Sequence, residues 1–507
     1  MEEDPRAPAE PAVTRADVAH GAGLAGLSRA GALIEALAQP LYTWLFGIPT
    51  YGLYVVLWGA VNLATNIVHL SMPLALQRVV PAEDEEAAHG AVKLALLVAF
   101  LPSMLIALLV TLNAAAIAGL FSAAPRDAAR LPQAVALFVW ALPLWSFVEV
   151  ATSAARARRA FGPEIRLRIF WEQIARILFA LGFFALGAGS LGLMAAHLCS
   201  LAMTALLAIR LLDRYYDLAL LLRAPLPRRL VRDLILSGLG LLPANLARRA
   251  LIDAPPVLLN LMLPGARGAS AAGLFEIARK LSTVPLIVRQ AFQYVLGPLS
   301  SAQARADRFL VAPLYHFASR VSTALVVPLA GLLVFAGVDI LSVYRPEAQG
   351  ALPLLFILVG ARATEAIVGP ASAIVEMIGH RVLPLVNACI AIALWLGLAF
   401  WLVPRLGPLG MAIATGSATI ASTYAATLEL QLSDGLSPFD RRLVQGLAIA
   451  LCGVAMMALA EEVLHGPARF AACALIWAAT SWLTLRHGLS REDRLALGGL
   501  SRWLRLV

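Results

Sequence analysis

The chain has 507 residues, of which 60% are hydrophobic and only 14% charged, with a formal net charge of +9 and a mean hydropathy of +0.80. A soluble globular chain carries about a quarter of its residues charged, and one soluble core stops growing near about 250–300 residues. The composition therefore excludes a water-soluble enzyme built round one core and selects lipid as the solvent. The basic excess is almost all Arg, with Lys93 and Lys280 the only lysines, and it falls between apolar runs, so membrane topology accounts for it better than nucleic-acid binding.

Residues 1–22 are rich in Ala, Pro and acid and read as a disordered cytoplasmic tail, without the basic start and short apolar core of a secretory signal. Gly21, Gly23 and Gly26 spell a GxGxxG, but no strand precedes them, so a dinucleotide loop is not expected. From there apolar runs of spanning length recur almost to the C-terminus. The expected spans are 24–46, 51–73, 91–119, 131–152, 168–187 and 190–210, forming an N-terminal six-helix lobe over 23–215. A cytoplasmic linker at 216–232 follows. Spans 233–263, 270–300, 310–337, 350–376, 383–403 and 408–430 form a C-terminal six-helix lobe over 233–432. Two further transmembrane helices, 442–462 and 467–485, lie within 433–486, and 487–507 is a basic cytoplasmic tail. The fold class is thus all-α and polytopic, with about 14 transmembrane helices.

The distribution of charge orients this bundle. Of the 40 basic residues, 26 fall on the N-terminal side and its connections and five on the opposite side, which places both termini of a multi-pass membrane protein in the cytoplasm. The Glu83–Glu86 run reads as a solvated cytoplasmic turn. The four cysteines, Cys199, Cys389, Cys452 and Cys473, lie in apolar runs without CxxC spacing, so no disulfide, metal site or cofactor is expected. No connection is long enough for a folded domain, which confines any chemistry to the bundle and its mouths.

An internal repeat is visible in the turns. Gly52-Leu53-Tyr54 matches Gly273-Leu274-Phe275, Phe161-Gly162 matches Ile378-Gly379, and Gly189-Ser190-Leu191-Gly192 matches Gly407-Pro408-Leu409-Gly410, all at an offset of about 220. Six helices per repeat is an even number, so both halves enter the membrane in the same sense. Secondary transporters use such parallel repeats, related by an axis along the membrane normal.

Nine basic residues remain inside spans. Arg176 and Arg469 lie near helix ends and are expected to snorkel. Arg248, Arg249, Arg279, Lys280, Arg289, Arg320 and Arg362 lie deep. Each such residue facing lipid costs ~2.5–3.5 kcal/mol on insertion scales, so they should face a hydrated cavity, a partner or a ligand. Asn245, Arg248, Arg249 and Asp253 share one face of the seventh span, Glu276, Arg279, Lys280 and Thr283 one face of the eighth, and Arg362 and Glu365 one face of the tenth. Some of these cations can pair with Asp253, Glu276 or Glu365. The remainder argue for an anionic ligand, and the Arg fork matches phosphate oxygens. The first half offers a wall poorer in cations: Glu35 and Gln39, then Asn62, Asn66 and His69 at helical spacing, with Glu149 in the fourth span. That wall suits sugar hydroxyls or a coupling proton, and equally suits hydrogen bonds that merely hold the bundle together. Pro243, Pro255 and Pro256 should interrupt the seventh span and make it the moving gate.

Phe46-Gly47-Ile48-Pro49-Thr50-Tyr51-Gly52-Leu53-Tyr54, the polar second span ending at Pro73–Pro81, Gly265–Pro298, and Val403-Pro404-Arg405-Leu406-Gly407-Pro408-Leu409-Gly410-Met411-Ala412 form an ordered set over residues 24 to 430. The set resembles the polysaccharide transporter branch of the multidrug/oligosaccharidyl-lipid/polysaccharide exporter superfamily, the family of bacterial oligosaccharide and lipopolysaccharide flippases. The resemblance implies a flippase that moves undecaprenyl-diphosphate-linked oligosaccharide units by alternating access of two lobes, with cavity cations attracting the diphosphate. It also implies membrane lipids, a polysaccharide polymerase and a chain-length regulator as partners. Many members carry an Arg at the end of the first helix, where this chain reads Tyr42-Thr43-Trp44. Two alternatives remain. A multidrug or cation exporter of the same fold should line its cavity with carboxylates rather than guanidinium groups. A membrane polysaccharide polymerase or ligase needs catalytic groups in sizeable external loops, which Ser122–Leu131 and Asp339–Gly350 do not supply.

Overall fold

The computed structural model describes residues 30–158, 160, 165–285, 311–378 and 383–506, and all regular structure among them is helical. A hydrocarbon layer offers backbone groups no water, so an apolar chain satisfies them within helices. In chain order these are α1 (Ala30–Phe46), α2 (Ile48–Val68), α3 (Glu85–Leu112), α4 (Leu131–Ala157), α5 (Glu172–Ala185), α6 (Leu191–Tyr215), α7 (Arg228–Met262), α8 (Gly265–Thr283), α9 (Ala312–Phe335), α10 (Leu352–Ile367), α11 (Leu383–Leu406), α12 (Pro408–Asp434), α13 (Arg441–Val463) and α14 (Gly466–Gly488). Each expected span has a helix among the described residues, with positions 24–29 of the first span, 286–300 of the eighth and 310 of the ninth lying outside them. Among the described residues, ten are long and apolar enough to cross a membrane on their own composition. The other four, α1, α5, α8 and α12, are shorter or more polar; α8 carries Glu276, Arg279 and Lys280. Caps fix several starts: Asp84 accepts Ala87 N–H ahead of α3, and Asp440 accepts Leu443 N–H ahead of α13.

The repeat is visible in three dimensions. Gly47 and Gly265 turn the chain into α2 and α8, and Gly189 and Gly407 into α6 and α12, all four with φ between +58° and +88°. In the first half α3 packs on α4, α4 on α6, and α5 on α6; in the second α9 packs on α10, α10 on α12, and α11 on α12. The equivalent helices α2 and α8 meet each other. A Cβ on Gly52 would lie 1.8 Å from the Ala269 carbonyl oxygen, and one on Gly273 would lie 2.8 Å from that of Ile48. Positions 48 and 52 shifted by 221 become 269 and 273, so the contact is reciprocal, as between two copies about a two-fold axis.

One expectation about the elements needs correction. Pro243, Pro255 and Pro256 do not interrupt α7, which runs as one helix of 35 residues. Pro255 and Pro256 are buried, and α2, α8 and α11 pack along α7 and cover the backbone that a proline would leave bare. A π-helical segment, Ile165–Trp171, precedes α5 and carries the chain inward from the connection after α4. The segment after α14 is folded: Arg491–Ala496 begins with a Ser490–Asp493 capping box, Trp482 Nε1 donates to the Leu504 carbonyl at 2.9 Å, and Leu506 packs with Leu314 and Phe317 of α9.

The two ends of the bundle differ. At the Arg-poor end, Trp44 Nε1 donates to the Val343 carbonyl, and Arg345 Nη2 to that of Trp44, both at 2.8 Å. Tyr344 donates to Gln39 Oε1 at 3.2 Å, and Asn260 exchanges two hydrogen bonds with the Ser122 backbone. These bonds, with the Gly52–Gly273 contact, close that end between the halves. At the Arg-rich end the described contacts between halves run chiefly through α7.

Candidate functional site

The site begins where α2 ends. His69 is followed by Leu70 and Ser71, both in the left-handed region at φ +48° and +56°. Non-glycine residues there carry about 1–3 kcal/mol of strain each, so neighbours must hold the corner. Ser71 N–H donates to His69 Nδ1 at 3.1 Å, and Asn245 Nδ2 of α7 donates to Ser71 Oγ at 3.3 Å and to Asn66 Oδ1 at 3.1 Å. Gly238 lets α7 dock, because a Cβ there would lie 2.5 Å from the Leu70 carbonyl oxygen.

The corner aims His69 at Glu149 of α4. Because His69 Nδ1 accepts from Ser71, its proton is on Nε2, which donates to Glu149 Oε2 at 3.2 Å. The other carboxylate oxygen faces two guanidinium groups: Arg249 Nη2 at 3.6 Å and Arg168 Nη2 at 3.8 Å. Glu149 is 8% exposed and Arg249 36%. Arg168 also lies over the Trp145 ring, 4.4 Å from its centroid. One carboxylate therefore ties α2, α4, the π-helical segment and α7 together.

Arg249 also links this cluster to a second one. Asp253, one turn along α7, lies within electrostatic reach of Arg249, Arg279, Lys280 and Glu276. On α8, Arg279 holds Glu276 with two hydrogen bonds of 2.7 and 2.6 Å, and Lys280 Nζ is 4.0 Å from the same carboxylate. On α10, Arg362 donates to Glu365 at 2.9 Å.

The predicted cations thus separate by what they touch. Arg320 does not belong with the others. It is 11% exposed and bridges Asp440 and Asp493, which tie α9 to α13 and to the C-terminal segment. Arg279 and Arg362 are paired with carboxylates on their own helices. Arg249 makes no hydrogen bond among the described residues, only the long ion pair to Glu149. Arg248 is exposed and donates once, at 3.3 Å, to the neutral Asn245 Oδ1. Arg289 and the Glu35 side chain lie outside the described residues. Gln39 donates to Tyr51 Oη at 2.8 Å and belongs to the closed end. Asn62 is buried, and its carbonyl accepts from Asn66.

Arg176 does not snorkel, and Arg469 is held by an acid at its own end of the bundle. Arg176 is buried against Glu172 and lies 3.4 Å from Tyr54 Oη, while Arg469 binds Asp339 through bonds of 2.7 and 2.8 Å. Sequence reasoning placed Arg168 in a basic connection, since only the π-helical segment carries it inward. Glu149 did announce itself, as a lone acid in an apolar span. Counting these changes, α2, α4, the π-helical segment, α7, α8 and α10 bring together six cations (Arg168, Arg248, Arg249, Arg279, Lys280, Arg362) and four carboxylates (Glu149, Asp253, Glu276, Glu365), two more positive charges than negative in this set.

Fold and site together define a polytopic helical membrane protein with two repeated halves, a closed end and a cation-rich zone along α7 and α8. No protein-family model and no curated protein matches the chain. Solved structures do. The chain is similar in fold to the lipid II flippase MurJ in an inward closed conformation, with a TM-score of 0.71 and 13% identity over 91% of this chain and 97% of that one. It is also similar to an inward-facing multidrug resistance transporter of the MATE family in the MOP superfamily, at a TM-score of 0.58 and 16% identity over 83% and 95%. A MOP superfamily transporter from Pyrococcus furiosus gives a TM-score of 0.58 and 16% identity over 83% and 98%.

Proposed function

We propose that this chain is a transporter of the flippase type, carrying undecaprenyl-diphosphate-linked oligosaccharide units across the bacterial inner membrane for lipopolysaccharide, capsule or exopolysaccharide synthesis. The observation that carries the reading is the contrast among the arginines within the spans. Arg279, Arg320 and Arg362 spend their donors on carboxylates, whereas Arg248 and Arg249, in the middle of α7, leave most of theirs unused. A planar fork with free N–H groups binds phosphate through paired charge-assisted hydrogen bonds. The fold shared with a lipid II flippase supports the same reading. The net positive charge of the zone disfavours export of cationic drugs.

In this reading the Arg-rich end faces the cytoplasm, both termini lie there, and a polysaccharide polymerase and chain-length regulator receive the product. The test is translocation of a fluorescent undecaprenyl-diphosphate-linked glycan by the full chain in liposomes. Arg248→Ala and Arg249→Ala should each slow translocation at least about tenfold, the loss of one charge-assisted phosphate contact. Unaltered rates in both variants would remove the diphosphate from this zone.

A further inference from the structure

We infer that Glu149 is a resident counter-ion that stands in for the ligand's phosphate, so that ligand binding displaces it from Arg249 and draws a proton onto Glu149. The inference rests on the proposed diphosphate reading and assigns to that site its control. Glu149 Oε1 sits 3.6 Å from Arg249 and 3.8 Å from Arg168, in ion-pair reach but beyond hydrogen-bonding distance. Two guanidinium groups converging on one oxygen of a nearly buried anion is the arrangement a phosphate oxygen would take. Arg249, with no hydrogen bond among the described residues, is held loosely enough to exchange partners.

The Glu149 carboxylate is fixed from behind. His69 Nε2–H donates to Oε2 at 3.2 Å, and Ser71 N–H orients the His69 ring through Nδ1. Thr152 bonds only backbone carbonyls of α4, so His69, Arg168 and Arg249 are the described charged or titratable groups that face the Glu149 carboxylate. Once a phosphate takes Arg249, the carboxylate loses one of its two cations in a poorly solvated position. Its charged form becomes costlier, and proton uptake relieves it. Linkage then sets the sign: a ligand whose binding takes up a proton binds more weakly as pH rises. The proton comes from solvent, and no bond in the ligand changes.

Isothermal titration of undecaprenyl diphosphate into the full chain in nanodiscs, in buffers of differing ionisation enthalpy, counts protons directly. Wild type should take up a fraction of a proton or more per ligand near neutral pH and lose affinity toward alkaline pH. Glu149→Gln should bind about tenfold more tightly, a mid-range coupling between two sites, with no proton uptake and a flat profile. Glu149→Asp, which keeps the charge but retracts it, should keep the uptake and checks that the site is intact. Wild-type binding without proton uptake, or Glu149→Gln binding no tighter than wild type, overturns the counter-ion role. Arg249→Ala separates the two ideas: loss of binding there alongside an unaltered Glu149→Gln leaves the diphosphate reading standing and removes this one, and binding unchanged in both removes both.

Discussion

Arg320 sits between Asp440 and Asp493, whereas Arg248 faces one neutral amide, and that difference decides what each residue does. Asp493 is 0% exposed, so removing Arg320 leaves a buried carboxylate without its cation. Arg320→Ala should lower stability by about 3 kcal/mol and leave undecaprenyl diphosphate binding near wild type for the folded fraction. Arg248→Ala should do the reverse, weakening binding with little change in thermal unfolding. Thermal unfolding and ligand titration on the same two preparations check this, and the opposite pattern would place Arg320 in the site instead. Residue type and helical spacing made the cations visible in the sequence. Pairing was not visible, because the partners of Arg320 lie 120 and 173 positions away, and a one-dimensional pattern carries no information about such contacts. Arg168 was misplaced for the same reason.

At the scale of elements, the α2–α8 contact depends on two facing glycines. Gly52→Val would force a side chain against the Ala269 carbonyl and should cost about 1–3 kcal/mol by overpacking. It should also loosen the closed end, read as faster thiol labelling of a cysteine introduced at Ser122. Unchanged labelling would mean that the α1 and Asn260 hydrogen bonds keep that end shut unaided. The order of helices and their approximate ends were legible, because run length, alternation of charge and caps are local signals. The unbroken course of α7 was not. Prolines break a helix in water, but packing around the buried Pro255 and Pro256 compensates for what those two free. The π-helical segment before α5 has no sequence signature of its own.

For the molecule as a whole, the repeat places equivalent helices about a two-fold axis, closes one end through Trp44, Arg345 and Asn260, and leaves α7 to bridge the halves at the other. Transport by such a body requires the closed end to open. Trp44→Cys combined with Arg345→Cys, bridged by a short reducible thiol cross-linker, should stop translocation, with recovery on reduction. Continued transport by the cross-linked protein would show that this end does not separate. The central claim is that free guanidinium groups on α7 hold a lipid diphosphate. It is tested most directly by an experimental structure of the chain with undecaprenyl diphosphate. The account predicts phosphate oxygens about 2.8 Å from the guanidinium nitrogens of Arg248 and Arg249, with Glu149 displaced from Arg249. A diphosphate bound elsewhere, with Arg249 still on Glu149, would contradict it.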